Sequence, residues 1–327
     1  MDRVSKELLQ RFSQVRLLTV GDLLADHYLY GQTERVSREA PVLIVRHESD
    51  AVKLGGGANA AANARALGAR VAAVGVVGRD AMGRELARLF RAQGIALKAV
   101  SAAGLSTETR TRILAGGVST TRQQMLRIDR GATGPLPPTV RRALARAIEV
   151  AARKADVVMV SDYGAGVLCD ETRAALRRVA GRGIPVCVDS RFALSTMTGF
   201  TVCKPNEPEL SLLTGLPVRS DDEVAAAGSV ALKKLQCRAL LVTRGRRGMM
   251  LFERGARPVS LPVHGADAAV DVTGAGDTVG ATFAVAVGAG APFVDAAQLA
   301  NVAGALVVQK PGTATVSRAE LARELSR

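Results

Sequence analysis

The residues best suited to chemistry form a glycine-rich segment that ends in an acidic residue, Thr273-Gly-Ala-Gly-Asp277. An apolar run of helical character follows, so the segment is predicted to open a helix. Small residues at Gly274, Ala275 and Gly276 would let backbone N–H groups converge on an anion, which the helix dipole also favours. Asp277 is predicted to accept the proton of a hydroxyl that attacks a phosphoryl group. The alternative is a glycine-rich turn with an aspartate at the helix start.

A second glycine-rich segment, Leu54-Gly-Gly-Gly-Ala-Asn59, precedes another predicted helix. Without side chains, Gly56 and Gly57 allow the backbone to pack closely against a polyhydroxy ligand. The amide of Asn59 offers both a donor and an acceptor. The segment is a candidate sugar site, although tight turns use the same residues.

Two carboxylates lie after the first predicted strand. Asp22 follows Gly21 at the carboxyl end of that strand, where open α/β sheets bind ligands. Asp26 is a candidate second carboxylate near the same ligand, and a solvated loop position is equally consistent with its surroundings.

The segment Lys204-Pro-Asn-Glu-Pro-Glu209 leaves a predicted strand and opens a helix. The amide of Asn206 and the carboxylate of Glu209, three residues apart, suit a hydrated Mg²⁺ near phosphates, with Lys204 in the same nucleotide site. A helix cap is the alternative for this pair.

The segment Thr243-Arg-Gly245 leaves the next predicted strand and places a hydroxyl, a guanidinium and a glycine in a row. Together they suit contact with a phosphate, so Thr243 and Gly245 are candidate nucleotide-binding residues. The phosphate loop G-x-x-x-x-G-K-[ST] is absent from the sequence.

The elements that must position these residues alternate between short apolar runs and longer helical patterns, which predicts an α/β protein with a mainly parallel sheet covered by helices. Predicted strands are 17–20, 71–77, 157–160, 185–188 and 239–243; predicted helices are 58–67, 82–93, 138–153, 170–180, 222–235, 276–287 and 294–308. Two stretches, 26–46 and 107–129, have strand-like patterns and predict a small antiparallel sheet outside the main one. Two long disordered loops are the less consistent alternative.

Bulk composition excludes several classes of protein. The 327 residues are 48% hydrophobic, enough for a large core, and lack an apolar run long enough to span a membrane, so a soluble cytoplasmic protein is expected. Four scattered cysteines, expected as buried thiols, and three scattered histidines indicate neither a disulfide framework nor a zinc site. The net charge of +14 is spread along the chain beside only 3% aromatic residues, which disfavours nucleic-acid binding.

Taken in order from about Leu17 to Val316, these motifs resemble the signatures of the ribokinase-like (PfkB) family of sugar kinases. The resemblance implies a single kinase domain over residues 1–327, with a small β-lid from about 26–46 and 107–129. It implies transfer of the γ-phosphoryl group of ATP to a sugar hydroxyl with Mg²⁺, and use of a monovalent cation such as K⁺. A non-catalytic sugar- or nucleotide-binding protein with this fold is the alternative from another class.

The resemblance also implies roles for individual residues. Asp277 is the base, and Gly274, Ala275 and Gly276 form the anion hole. Asn206 and Glu209 hold Mg²⁺ through water, Asp271 and Thr273 hold the monovalent cation, and Asn301 lies near adenine. The implied sugar site comprises Asp22, Asp26, Gly56, Gly57, Asn59, Arg110, Gln124, Asp162 and Arg191.

Within the family, the sequence is most similar to D-glycero-β-D-manno-heptose 7-phosphate kinases, whose product is the 1,7-bisphosphate. The similarity lies in the segments around Gly21, Arg35, Arg122, Ser161 and Lys310. Of the two domains fused in many of those relatives, it covers only the kinase. Ala165 and Arg191 stand where those relatives have lysines, which leaves another sugar, sugar phosphate or nucleoside as an alternative acceptor. A homodimer through the lid is also expected.

Overall fold

The computed structural model describes residues 3–117, 122–132, 134–265 and 269–326. Its strands are β1 Arg16–Gly21, β2 Leu23–Val36, β3 Leu43–Gly56, β4 Arg70–Val76, β5 Ala96–Val100, β6 Thr109–Gly116, β7 Gln123–Arg130, β8 Val157–Asp162, β9 Val186–Ser190, β10 Val202–Cys203, β11 Ala239–Thr243, β12 Met249–Glu253 and β13 Val259–Leu261. Its α-helices are α1 Arg3–Arg11, α2 Gly57–Ala66, α3 Ala81–Ala92, α4 Pro138–Ala152, α5 Asp170–Ala180, α6 Glu207–Thr214, α7 Asp221–Leu235, α8 Ala275–Gly288, α9 Phe293–Val307 and α10 Arg318–Glu324.

The main sheet is mostly parallel and has the strand order β13-β12-β11-β10-β9-β8-β1-β4-β5. In this order, each pair of neighbouring strands between β11 and the edge strand β5 is parallel. Strand β12 pairs antiparallel with both β11 and β13. Side chains alternate between two apolar cores: Leu17 joins one, and Leu18 joins the other. Helices therefore cover both faces, and the carboxyl ends of the parallel strands meet along one edge.

A second sheet, the lid, has the strand order β3-β2-β6-β7. Its strands extend beyond the predicted stretches, because β2 begins at Leu23 and β3 continues to Gly56; residues 118–121 of the second stretch lie outside the described residues. The prediction of a wholly antiparallel lid was wrong, since the central strands β2 and β6 are parallel. The chain crosses into the main sheet between them, which allows the two strands to run in the same direction.

The sequence pattern missed strands β5, β10, β12 and β13 of the main sheet and helices α1 and α10. Strand β10 has two residues and β13 has three, too few for a period-2 pattern to emerge. Helices α1 and α10 at the chain ends are rich in charged residues and were also missed. Cys187, Cys203 and Cys237 are buried thiols as expected, but Cys169 is only half-buried at the start of α5. Within the described ranges, no helix is long and apolar enough to cross a membrane.

Candidate active site

Polar residues from four neighbouring parallel strands meet the start of α8. Asp22 follows β1, Tyr163 follows β8, Asp189 lies near the end of β9, and Lys204 follows β10. Because these strands are adjacent and parallel, their carboxyl ends bring the side chains to one edge of the sheet. The lid adjoins this edge of the main sheet, because lid strand β2 begins at Leu23, directly after Asp22.

The start of α8 depends on a glycine with a left-handed backbone. Gly274 precedes the helix with φ of 78°, a conformation that other residues rarely adopt. A Cβ atom at this position would also lie 2.6 Å from Nδ2 of Asn59. Gly274 therefore brings the helix N-terminus against α2. The N–H of Ala275 donates to the Val272 carbonyl at 3.2 Å, whereas the N–H of Gly276 has no partner among the described residues and is open to an anion.

Asp277 lies in the first turn of α8 and is only 2% exposed. Its Oδ2 accepts a hydrogen bond from Nδ2 of Asn59 at 2.9 Å, and its Oδ1 accepts one from the Tyr163 hydroxyl at 2.8 Å. Burial raises the pKa of Asp277 to about 7, and the two hydrogen bonds oppose that rise. A carboxyl group with this pKa is suited to accept a proton near neutral pH.

A chain of amides holds the donor to Asp277 in place. Oδ1 of Asn59 accepts from Nδ2 of Asn63 at 3.1 Å, and Oδ1 of Asn63 accepts from the Thr278 hydroxyl at 2.9 Å. These hydrogen bonds link α2 to α8 at two neighbouring residues of α8, through Asn59 to Asp277 and through Asn63 to Thr278. Both polar atoms of the Asn59 amide are thus engaged within the protein, in a position that orients the carboxylate.

Lys204 forms a buried ion pair beside the same helix turn. Its Nζ lies 2.9 Å from Oδ2 of Asp189, and a Cβ on Gly276 would lie 3.7 Å from that Nζ. Burial would lower the pKa of Lys204, but Asp189, Glu209 and Asp277 raise it above the usual value. The ammonium group is therefore charged and lies next to the first N–H groups of α8.

Asn206 and Glu209 form a reciprocal cap at the start of α6. Oδ1 of Asn206 accepts from the Glu209 N–H at 2.8 Å, and Oε2 of Glu209 accepts from the Asn206 N–H at 2.9 Å. Burial raises the pKa of Glu209, as does Asp189, while Lys204 and Arg191 lower it. Oε1 of Glu209 has no hydrogen-bond partner among the described residues, so it can face a ligand.

The Thr243-Arg-Gly245 segment is built differently from the sequence interpretation. The Arg244 side chain is 1% exposed, and it pairs with Glu207 at 3.0 Å and Asp221 at 2.6 Å. The expectation that this guanidinium contacts a phosphate is therefore wrong; it ties the segment to the starts of α6 and α7. Thr243 remains beside Asn206, with which it forms a parallel bridge.

Two comparisons of sequence relate this site to known proteins. Residues 16–320 match the pfkB family of carbohydrate kinases. The chain belongs to this family. It is 37% identical to the bifunctional protein HldE of Geobacter sulfurreducens over 99% of this chain and 66% of that protein, and 39% identical to HldE of Caulobacter vibrioides over 98% and 65%. The chain thus spans just under two thirds of the length of these relatives.

Solved structures confirm that this pfkB chain has the ribokinase-like fold with its β-lid. Ribokinase of Arabidopsis thaliana, solved with ribose and ATP, has a TM-score of 0.74 at 24% identity, covering 96% of this chain and 99% of that one. Phosphofructokinase-2 of Escherichia coli, solved with substrates and products, has a TM-score of 0.79 at 19% identity, covering 96% and 100%. Sugar kinase activity follows from the family.

The predicted sugar-site residues of this pfkB kinase occupy several environments. The carboxylate of Asp22 is 1% exposed and accepts N–H groups of Tyr163, Ala165 and Val167, at 2.7 to 3.3 Å. Burial and Asp162 raise the pKa of Asp22 to about 6, and these N–H groups lower it. Asp22 thereby anchors the loop that follows β8.

Asp26 is not the solvated loop residue that the sequence also allowed. It lies buried on β2 and pairs with Arg112 at 2.6 Å within the lid. Arg110, two residues earlier on β6, places its guanidinium 4.9 Å from the centre of the Tyr163 ring. Asp162 accepts from the Ser190 hydroxyl at 2.6 Å, whereas Gln124 is exposed on β7.

The remaining predicted site residues lie farther from the start of α8. Asp271 accepts from the N–H groups of Thr273 and Gly312 at 2.9 and 2.8 Å. Burial would raise the pKa of Asp271, but these hydrogen bonds and the Thr273 hydroxyl lower it. Asn301 donates to the Pro262 carbonyl at 2.6 Å, and the exposed Arg191 lies on the side of Glu209.

Four residues of the site were missed as site residues by the sequence interpretation: Asn63, Tyr163, Asp189 and Thr278. Asp189 directly follows the predicted strand 185–188, and Tyr163 lies shortly after the predicted strand 157–160, so their position on the chain was the available signal. Asn63 lies four residues after Asn59 on α2, and thus on the same face. Thr278 is next to Asp277, and nothing in its surroundings distinguishes it from a core threonine.

Proposed function

We propose that this chain transfers the γ-phosphoryl group of ATP to a hydroxyl of D-glycero-β-D-manno-heptose 7-phosphate, forming the 1,7-bisphosphate. The observation that carries the reaction type is Asp277, a buried carboxylate with a pKa of about 7 at a helix start. In the proposed step the sugar hydroxyl loses its proton to Asp277, its oxygen bonds to the γ-phosphorus, and the bond to the β-phosphate oxygen breaks, which releases ADP.

The groups beside Asp277 fit the charge that moves in this step. Negative charge on the transferring phosphoryl group would lie between the Gly274–Gly276 backbone and the ammonium of Lys204. The N–H groups of Gly274 and Gly276 would face it, and the Ala275 N–H, which donates to the Val272 carbonyl at 3.2 Å, would have to give up that bond to join them. That placement brings the attacking oxygen and the electrophile to the same helix turn. Adenine would lie towards Asn301, with Thr243 and Gly245 on the side of the phosphates.

Two cations are part of the proposal. Mg²⁺ would be held through water by Glu209, whose Oε1 is available, and by Asn206, and it would neutralise charge on the phosphates. A monovalent cation such as K⁺ would be held beside Asp271, whose carboxylate is kept ionised, and Thr273. Both positions supply the oxygen ligands that these hard cations prefer.

The identity of the acceptor is supported by the similarity to HldE proteins along nearly the whole chain. A 7-phosphate brings about two negative charges, which require cations at the far side of the acceptor. Arg110 on the lid and the exposed Arg191 are the candidate partners, and arginine can contact phosphate through two parallel hydrogen bonds. They would compensate for the lysine that Ala165 replaces.

The acceptor proposal predicts a preference for the phosphorylated sugar. The kcat/KM for heptose 7-phosphate should exceed that for the free heptose, and Arg191→Ala should lower the first value by about 10-fold or more through the loss of a charged hydrogen bond. The measurement is a coupled ADP assay with both acceptors, with Arg182→Ala on the α5–β9 turn as the matched control. Equal use of both sugars would contradict the acceptor proposal and favour another acceptor. An Arg191→Ala effect confined to the KM for ATP would mean that Arg191 contacts the nucleotide, which would also favour another acceptor.

We also propose a homodimer formed through the lid. The lid exposes apolar side chains and an unpaired edge at β7, which a two-fold partner would cover. These exposed side chains are Val36, Val42, Leu43, Met125, Leu126 and Ile128. The related phosphofructokinase-2 of Escherichia coli has a tetrameric inhibited form, so assembly occurs elsewhere in this family.

The dimer proposal predicts that a charge on the lid surface will separate the subunits. Ile128→Lys should shift the mass measured by light scattering at micromolar concentration from dimer to monomer, because the new charge would be desolvated in the interface. Val150→Lys, at a somewhat more exposed position on α4, is the matched control and should leave the mass unchanged. A monomeric wild-type protein under these conditions would contradict the proposal.

A further inference from the structure

Tyr163 connects the lid to the carboxylate of Asp277. Its hydroxyl donates to Oδ1 of Asp277 at 2.8 Å. The guanidinium of Arg110, a lid residue on β6, lies over the Tyr163 ring at 4.9 Å from the ring centre. Two parts of the protein that belong to different sheets therefore meet through one side chain.

We propose that Tyr163 is a positioning residue that orients Asp277 for proton acceptance and couples this orientation to the lid through Arg110. The inference rests on the proposed function, because it assigns Asp277 the role of base. It adds a residue outside the sugar, nucleotide and metal sites described above, and a physical link between lid position and the reacting group.

The backbone around Tyr163 makes its hydroxyl a fixed donor. Its N–H donates to Oδ2 of Asp22 at 2.7 Å, which anchors the residue to the end of β1. On the lid side, Gly56 leaves room for the ring, since a Cβ atom there would lie 3.1 Å from it. The ring is thus held between the strand edge and the start of α2, with few alternative rotamers available.

The Tyr163 hydroxyl stays protonated near neutral pH, so it donates to the ionised form of Asp277. Burial, together with the charges of Asp277 and Asp189, raises the pKa of Tyr163 well above 10, and Arg110 opposes this rise. A protonated phenol that donates to a carboxylate favours the ionised form of that carboxylate. The positive charge of Arg110 over the ring makes the phenol a stronger donor. A movement of the lid that shifts Arg110 would therefore change the hydrogen bond from Tyr163 to Asp277.

Other groups around Asp277 do not duplicate this contact. Asn59 from α2 donates to the other oxygen, Oδ2, while Asp189 from β9 raises and Lys204 from β10 lowers the pKa of Asp277 by charge. None of these residues belongs to the lid. Removal of the Tyr163 hydroxyl should therefore leave Oδ1 without its donor and break the link to Arg110.

The first test measures the ionisation of Asp277 directly and does not depend on the acceptor. Protein labelled with ¹³C at aspartate carboxyl carbons would be titrated by NMR, with Asp277→Asn used to assign the signal. Tyr163→Phe should raise the midpoint of Asp277 by about one to two pH units, because a hydrogen bond to the charged form is lost. Tyr30→Phe, on the lid, is the matched control and should leave the midpoint in place.

The second test asks whether Arg110 acts through Tyr163. Arg110→Met should raise the Asp277 midpoint in the wild-type background by a smaller amount than Tyr163→Phe does, and should have no further effect in the Tyr163→Phe background. In a chain active on any acceptor, the acid limb of the kcat profile should move with the NMR midpoint. An unchanged midpoint in Tyr163→Phe, or equal Arg110→Met shifts in both backgrounds, would overturn the inference. A chain inactive on every acceptor but with these shifts would refute only the proposed function.

Discussion

Asp277→Asn is expected to lower turnover by about 10²- to 10⁴-fold, because the amide keeps the size of the side chain but cannot accept the proton of the attacking hydroxyl. The fold should remain intact. Burial holds the pKa of Asp277 near 7, above its value in an unfolded chain, so at pH 8 the ionised carboxylate weakens the folded state relative to a neutral group. The free energy of unfolding at pH 8 should therefore stay the same or rise.

The assay for this substitution combines ATP turnover with thermal unfolding at pH 8. Asp295→Asn is the matched control, since Asp295 lies in the first turn of the neighbouring helix α9 and has no place in the proposed chemistry. It should retain turnover close to that of the wild type. A folded Asp277→Asn protein with near-normal turnover would remove Asp277 from the role of base.

The local parts of the site could be predicted because their signals lie within a few residues of sequence. Gly274 needs a left-handed backbone before α8, and that requirement appears in the sequence as a glycine at a helix start. Asn206 and Glu209 have the spacing of a reciprocal cap, which the structure contains. The continuous apolar runs of β1 and β8 follow from their burial on both faces of the sheet.

The partnerships across the sheet could not be predicted, because they depend on strand order. Lys204 pairs with Asp189 only because β9 and β10 are neighbours, and Tyr163 reaches Asp277 from a strand far earlier in the chain. Arg244 lies in a recognisable segment, yet the direction of its side chain is set by Glu207 and Asp221 on other elements. The parallel pairing of β2 and β6 has the same cause, since a period-2 pattern carries no strand direction.

Lys204→Met is expected to affect both stability and catalysis. The substitution keeps a long side chain but leaves the Asp189 carboxylate, whose side chain is 20% exposed, without its partner. Breaking a fully buried ion pair in this way costs roughly 3–5 kcal/mol, so the loss here should lie at or below that range. Turnover should fall by about 10²- to 10³-fold, because the ammonium beside Gly276 would no longer stabilise the charge on the transferring phosphoryl group. Urea unfolding and a steady-state kinase assay measure the two effects separately.

The double substitution Asp189→Asn with Lys204→Met distinguishes the catalytic loss from the loss of stability. Without a buried unpaired charge, the double variant should recover most of the free energy of unfolding lost in Lys204→Met. Its turnover should remain low, since the cation beside the helix start is still absent. Recovery of both properties would mean that Lys204 only neutralises Asp189, and the anion would then be stabilised by the backbone N–H groups of α8 alone. Recovery of stability without turnover would leave phosphoryl stabilisation by Lys204 as the explanation for the kinetic loss.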